Sequence, residues 1–203
     1  TRQFKMLPDD VTATIVGSSV SLTAGSLDNA YNGNTGNSVT YANTAGFSSE
    51  SKGVVFKLQM PQVTGKITAI TLGLSGTYSQ TITGSPSGTD GAFFNLATSL
   101  SSSFGSSSGD IELVGTSSSG DKVDRTNVAL PTSTNIASIL TNNALPDELY
   151  LSFRFNAEGD DISYSDFNVI LSNVFVTITA TNDLANEPIA SQEFNAGIEK
   201  VYL

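Results

Sequence analysis

The feature that most constrains the fold of this chain is a two-residue alternation of apolar and polar side chains in two late segments. In "ELYLSFRFNA" (148–157) every odd position is apolar, and in "FNVILSNVFVTITAT" (167–181) the even positions from 174 to 180 are apolar. Successive side chains of a strand point to opposite faces of its sheet. The pattern therefore predicts antiparallel strands with one core face and one solvated face, the latter carrying Tyr150, Ser152 and Arg154.

Shorter alternating segments precede these two, and no alternation of strands with long helices accompanies them. They are residues 11–23, 53–60, 66–76, 92–98, 111–115 and 122–130. Eight to ten short strands without crossover helices predict an all-β fold, an antiparallel β-sandwich of jelly-roll type. The predicted single domain spans 11–181, with an extended N-terminal arm over 1–10 and a C-terminal tail or arm over 182–203.

One short helix is predicted after the sixth of these segments. Ser133 or Thr134 can cap it, and Ile136, Ile139 and Leu140 recur at helical spacing. We expect it to cover one edge of the sandwich.

The residue types that are missing exclude several classes of chemistry. The chain has no Cys, His or Trp, so disulfides, thiolate metal sites and a Ser-His-Asp triad are impossible. Its net charge of −10 disfavours nucleic acid and anionic membranes as partners. Carboxylate-pair hydrolysis stays open chemically, but no catalytic motif stands out. The sequence thus predicts a protein that is not an enzyme and uses no cofactor.

The location of the protein is predicted from two further observations. No apolar run approaches the ~18 residues of a membrane span. The opening residues "TRQFKMLPDD" lack the apolar core of a signal peptide. We expect synthesis in a cytoplasm without secretion, although a cleaved precursor would show the same opening.

An Asn-rich segment, "SLDNAYNGNTGNSVTYA" (26–42), is the first candidate ligand site. It fails as an EF-hand loop, because Ala30 and Val39 stand where two acidic ligands are needed. Three alternatives remain open: ordinary turn chemistry, a calcium site built on one Asp and backbone carbonyls, and a sugar-binding loop with a stacking Tyr. The candidate ligand residues are Asp28, Asn29, Tyr31, Asn32 and Asn34.

A second candidate is the acidic segment "NAEGDDISYSD" (156–166). Clustered carboxylates suit hard cations, and a charged hairpin tip gives the same sequence. The weak candidate metal ligands are Glu158, Asp160, Asp161 and Asp166.

The sequence resembles a module of tailed-phage virion proteins. In that module an Asn-Ala-Tyr-Asp-Gly-Asn-Thr-like opening precedes an apolar strand, a Pro-containing turn and an Ile-x-x-Ile-x-Leu strand. Here "NAYNGNT" (29–35) and "VVFKLQMPQVTGKITAITLGLSG" (54–76) fit this order, with Asn32 where an Asp is common. The resemblance covers roughly residues 20–181. Galactose-binding-like sandwiches share the opening, so a carbohydrate-binding or receptor-binding module is the alternative.

The resemblance implies a structural protein of a phage particle, such as a capsid decoration (cement) or fibre-type protein. The implied partners are further copies of this chain, in a trimer, together with the major capsid protein, and a glycan under the alternative. Terminal arms in such assemblies exchange between subunits or dock on a lattice; the other possibility is that they fold back on their own domain. The predicted assembly contacts are Phe4, Leu7, Phe194, Ile198, Val201, Tyr202 and Leu203.

Overall fold

The computed structural model describes most of the chain as β-structure. The described residues are 2–6, 14–16, 20–31, 36–43, 51–63, 65–84, 91–99, 111–115, 123–139, 144–158, 162–181 and 198–202. They form thirteen strands and two short 3₁₀ turns. Among them, no helix has the length and apolarity needed to cross a membrane.

The strands fall into a short-stranded first half and a second half built around two long strands. The first seven are β1 (Arg2–Met6), β2 (Thr14–Val16), β3 (Val20–Ala24), β4 (Val39–Asn43), β5 (Ser51–Gln59), β6 (Lys66–Gly84) and β7 (Gly91–Ser99). The remaining six are β8 (Ile111–Val114), β9 (Arg125–Ala129), β10 (Ser133–Asn135), β11 (Glu148–Glu158), β12 (Ile162–Thr181) and β13 (Ile198–Tyr202). The two 3₁₀ turns are Leu27–Ala30 and Ala137–Ile139.

These strands form two antiparallel sheets, which we call sheet A and sheet B. In sheet A the long strands β6 and β12 pair with each other; β9 and β10 flank β6, while β4 and β1 flank β12. Beyond these lie β3, next to β4, and β13, next to β1. Sheet B has the order β2-β5-β11-β7-β8. The predicted all-β sandwich is therefore confirmed.

The pairing follows the scheme of a jelly roll. When β9 and β10 are counted as one interrupted strand, eight strands from β4 to β12 pair from the outside inwards. The first pairs with the last (β4 with β12), the second with the seventh (β5 with β11), the third with the sixth, and β7 with β8. A chain folded into one long hairpin and then rolled gives this order, with the two sheets closing over one core.

The core between the sheets is largely aromatic at one end. Tyr78 stacks on Phe94 across the sandwich at 5.0 Å between ring centroids, and Phe155 stacks on Phe167 at 4.8 Å. The Tyr41 hydroxyl reaches the carbonyl oxygen of Phe153 at 3.5 Å. Burial raises the pKa of Tyr41 well above its usual value, so this hydroxyl stays protonated.

A bulge in β12 keeps one face of this long strand in the core. The buried positions are odd up to Leu171 and even from Val174 onwards, and the register with β6 shifts between Ser172 and Phe175. Asn173 absorbs the change with a φ of 54°, in the left-handed region that Asn tolerates better than most residues. The predicted inward face over 174–180 is confirmed, while the bulge itself was not predicted.

The short helix predicted from Ser133 is wrong. Residues 133–135 form strand β10, which pairs with β6 opposite 71–73, and the described residues after it contain the 3₁₀ turn Ala137–Ile139. The backbone N–H of Ile136 donates to the carbonyl oxygen of Ile70 (3.0 Å), and that of Ala137 donates to Asn135 Oδ1 (2.9 Å). Both donors thus have partners outside a helix, and Ile136 is fully buried. Leu140 lies outside the described residues.

Candidate functional site

The Asn-rich segment forms a 3₁₀ turn that is tied to the neighbouring chain. Asp28 is exposed and its carbonyl oxygen accepts from the N–H of Tyr31 (3.1 Å), while Asn29 Nδ2 donates to the carbonyl oxygen of Ser38 (3.3 Å). Tyr31 is buried in the core, where its ring meets Phe56 edge-on at 5.8 Å. Its ring is therefore packed inside the sandwich instead of facing a ligand. Asn32 and Asn34 lie outside the described residues.

The other aromatic side chains of the described part are also withdrawn from solvent. Tyr41 and Tyr78 are fully buried, and none of the aromatic side chains that the structure describes is exposed. Stacking of sugars needs an accessible ring face. A glycan site in this part of the chain would therefore have to use a partly covered ring, such as that of Tyr150 on sheet B.

The structure describes little of the acidic segment that could hold a cation. Asp166 is exposed on β12, where it pairs with Thr81 of β6. Glu158 ends β11, and its side chain is not described, whereas Asp160 and Asp161 lie outside the described residues. Within the described part, no three acidic side chains come together in a way that could hold a metal. The cation site remains a prediction.

Four of the seven predicted assembly residues lie in two strands at one edge of sheet A. Phe4 of β1 pairs with Ile178 of β12 on one side and with Val201 of β13 on the other. The first and last described strands thus extend the chain's own sheet outside the eight-strand roll. Ile198 and Tyr202 also lie in β13, opposite β1. The other three predicted contacts, Leu7, Phe194 and Leu203, lie outside the described residues.

The outer face of sheet B carries a stripe of polar side chains, part of which is buried. The sequence predicted that these side chains are exposed to solvent. The stripe is the set of outward positions of β11 from 148 to 156, namely Glu148, Tyr150, Ser152, Arg154 and Asn156. Glu148 and Tyr150 are partly exposed, whereas Ser152, Arg154 and Asn156 are buried, and Arg154 retains only 1% exposure. The expected solvated face is therefore wrong at this end of the strand, and Arg154 is inaccessible to a ligand from solvent.

The neighbours of Arg154 explain why it is buried. They also show which sequence pattern could have predicted its burial. In register it lies between Gly53 of β5 and Asn95 of β7, and the outward side chains Val55 and Phe93 are also 1% exposed. Continuous apolar runs in the sequence, "VVF" (54–56) and "AFF" (92–94), contain these outward residues. Such runs are typical of strands that are buried on both faces.

The accessible end of the polar stripe is a compact cluster around one carboxylate. Lys57 Nζ forms an ion pair with Glu148 Oε1, Gln59 Nε2 donates to the same oxygen (3.0 Å), and the Tyr150 hydroxyl donates to Oε2 (3.0 Å). The hydrogen bond from Lys57 is the main reason why the pKa of Glu148 falls from 4.5 to about 2, and those from Gln59 and Tyr150 add to it. We call these four residues the Glu148 cluster.

The Glu148 cluster is suited to hydrogen bonding and not to proton transfer at neutral pH. A carboxylate with so low a pKa stays ionised at neutral pH, so it does not serve as a proton donor there. Lys57 Nζ also lies 5.9 Å from the centre of the Tyr150 ring, as in a cation–π contact. The cluster offers charges, an amide and a partly covered aromatic ring.

Comparisons with protein-family models, with curated proteins and with solved structures found no match for this chain.

Proposed function

We propose that this chain is a non-enzymatic structural protein of a tailed-phage particle, a decoration protein that binds the assembled capsid and stabilises it. Its partners under this proposal are further copies of the chain, in a trimer, and the major capsid protein. It would be made in the host cytoplasm and act in the virion. The resemblance of residues 20–181 to virion modules supports the proposal, and the jelly-roll pairing is compatible with it.

The observation that carries the proposal is the arrangement of the terminal strands. β1 and β13 add to sheet A outside the eight-strand roll, where β1 pairs with one edge of β12 and β13 pairs with β1. Backbone pairing is independent of side-chain identity, so the same edge can accept the equivalent strand of a neighbouring copy. Exchange of such a strand between copies forms a symmetric oligomer at little cost in free energy.

The test is a capsid-stability assay with capsids that lack the protein. Purified chain is added, its binding is measured by co-sedimentation, and the temperature of DNA release is followed with a fluorescent dye. We expect saturable binding and a rise in the release temperature. Absence of binding, together with an unchanged release temperature, would contradict the cement function.

Two variants test whether the terminal strand β13 contributes to capsid binding or oligomer formation. Deletion of residues 196–203 removes β13 and is expected to weaken capsid binding or oligomer formation. Ser138→Ala is the matched control, because Ser138 is exposed in the 3₁₀ turn that follows β10, the strand on the opposite edge of sheet A. Circular dichroism of both variants checks that the sandwich is still folded.

A second candidate function is that of a carbohydrate-binding or receptor-binding module on a phage appendage. The Glu148 cluster favours it, since Tyr150 there lies among hydrogen-bonding side chains on the outer face of a sheet. A glycan array tests it with wild-type protein and Tyr150→Ala. Binding that is lost in the variant would support this function, and an array without signal above background would remove it.

A further inference from the structure

The outer face of sheet A differs from ordinary protein surface in having no charge over its central part. Its central part consists of the side chains at the outward positions of β6 between 71 and 81 and of β12 between 168 and 179, and hydroxyl groups dominate it. Asp166, the outward partner of Thr81, lies just beyond this part. The side chains of the central part are Thr71, Ser75, Thr77, Ser79 and Thr81 of β6, and Asn168, Ile170, Ser172, Phe175, Thr177 and Thr179 of β12. We call this set the hydroxyl face. None of these described side chains is ionisable, in a chain whose net charge is −10.

The centre of the hydroxyl face is apolar and structured. Ile170 is 36% exposed and pairs with Thr77. The ring of Phe175 covers Gly73, where a Cβ would overlap the ring, so the glycine makes room for the aromatic side chain. The hydroxyl face therefore has two partly accessible apolar side chains among its hydroxyl groups.

The two ends of the hydroxyl face carry opposite charges. At one end Lys66 is exposed and pairs with Thr181, and Lys5 of β1 lies opposite Thr177 in the register. At the other end Asp166 is exposed and pairs with Thr81. Asp124 is also exposed at this end, and its Oδ1 accepts from the N–H of Ile82 (2.9 Å).

We infer that the hydroxyl face binds a second copy of this chain across a two-fold axis. A two-fold rotation places the basic end of one copy on the acidic end of the other, so that Lys66 faces Asp166 twice. Hydroxyl groups both donate and accept hydrogen bonds, so a face rich in them can pair with itself. Three of the nearby hydroxyls, those of Thr68, Ser172 and Thr181, donate to carbonyls of their own ribbon and keep lone pairs as acceptors.

The hydroxyl face and the strands that flank it together have the size of such a contact. From Ala69 to Thr81 the ribbon is about 40 Å long. With β9 and β10 on one side and β4 and β1 on the other, the outer face of sheet A is four strands or about 20 Å wide, at ~3.3 Å per residue and ~4.8 Å per strand. The resulting area of about 800 Å² equals what each partner contributes to a standard interface. Because the long-range repulsion between two chains of charge −10 opposes association, an uncharged centre with complementary ends is the favourable place for the contact.

This contact is separate from strand exchange at the β1–β13 edge. A two-fold contact alone gives dimers, whereas combined with a trimer it joins trimers into hexamers. Native mass spectrometry distinguishes dimers or hexamers from isolated trimers. The inference does not depend on capsid binding, so failure of the capsid assay would leave it unaffected.

Sedimentation equilibrium of the full chain and its variants tests the inference. Ser75→Arg places two like charges near the proposed axis and is expected to weaken the two-fold association at least tenfold. Gln59→Arg adds the same charge at an exposed position on the outer face of sheet B and is expected to have no effect. Lys66→Glu should weaken association several-fold, and the double variant Lys66→Glu with Asp166→Lys should restore it.

Two outcomes would overturn the inference. Interfaces of this size bind with micromolar or tighter Kd values, so a wild-type chain without dimers or hexamers up to about 100 μM would contradict it. Dimers or hexamers that are weakened equally by Ser75→Arg and Gln59→Arg, and that the charge swap does not restore, would exclude this face as the contact.

Discussion

At the scale of single residues, the Asn-rich segment shows how one sequence serves a turn and a core together. Tyr31 anchors the segment by burying its ring against Phe56, and Asn29 fixes the return of the chain through the carbonyl oxygen of Ser38. Gly25 has a φ of 72° at the start of the segment. Turn chemistry is thus the interpretation that the described residues of this segment support.

The first prediction concerns Gly25. A Cβ at this position would overlap the carbonyl oxygen of Ser38, in addition to the strain of a positive φ. We expect Gly25→Ala to lower the free energy of unfolding by about 1–3 kcal/mol. Ser26→Ala is the control, because its side chain makes no capping bond, and it should change stability by less than about 0.5 kcal/mol. Urea unfolding curves measure the free energy of unfolding of both variants. Equal stability of the two variants would refute the prediction.

The second prediction concerns the titration of Glu148. Its pKa of about 2 in the folded chain lies below the ordinary 4.5, so its ionisation stabilises the fold above pH 4.5, and this contribution is lost as pH falls from 4.5 towards 2. We expect Glu148→Gln to flatten the dependence of the unfolding free energy on pH within that window. Asp28→Asn controls for the loss of one exposed acidic group.

Lys57→Met tests the cause of the shift directly. Removal of the ammonium group deletes the hydrogen bond that lowers the pKa of Glu148 most, so the pKa should rise towards 4.5. An NMR titration of the Glu148 carboxyl carbon measures this pKa in the wild type and in the variant. A midpoint near 4 in the wild type would contradict the assigned geometry.

At the scale of elements, the long strands β6 and β12 organise the sandwich. Their pairing runs from Lys66–Thr181 to Gly84–Ile162, and strands on both sides attach to different halves of this ribbon. The bulge at Ser172–Phe175 allows one strand to serve both halves without turning its apolar residues outwards. A slip of one residue would reverse the two faces beyond the bulge.

The third prediction follows from the bulge. Asn173 has a φ of 54°, which glycine adopts freely and a β-branched residue adopts at a cost. We expect Asn173→Val to destabilise the protein by about 1–2 kcal/mol and Asn173→Gly to stay within about 0.5 kcal/mol of the wild type. Chemical denaturation compares them. Equal losses in both variants would show that the side chain of Asn173 matters more than its backbone conformation.

Strands with long alternating patterns were predicted correctly, whereas an element with a short pattern was not. The alternation in 148–157 and 167–181 predicted two real strands and their core faces, because long period-2 runs have few other solutions. The helix from Ser133 failed because a few apolar residues at helical spacing also fit a short strand and a turn, and pairing with β6 decided between them. The buried polar side of β11 was missed because burial on a second face depends on what lies above the sheet.

At the scale of the whole molecule, the two sheets present different outer faces. Sheet B has polar groups that are buried around Arg154 and partly exposed around Glu148, whereas sheet A has the uncharged hydroxyl face. The sequence predicted the sandwich and its jelly-roll character through strand number and spacing. It could not predict the hydroxyl face as a surface, because that face forms only when β6 and β12, about eighty positions apart in the sequence, pair side by side.

The measurement that tests the proposed function most directly is quantitative mass spectrometry of purified particles of the phage whose genome encodes this chain. The account predicts that the chain remains on washed particles in many copies per head, in a fixed ratio to the major capsid protein that reflects a symmetric site. Absence of the chain from intact, washed particles would contradict a structural function in the virion.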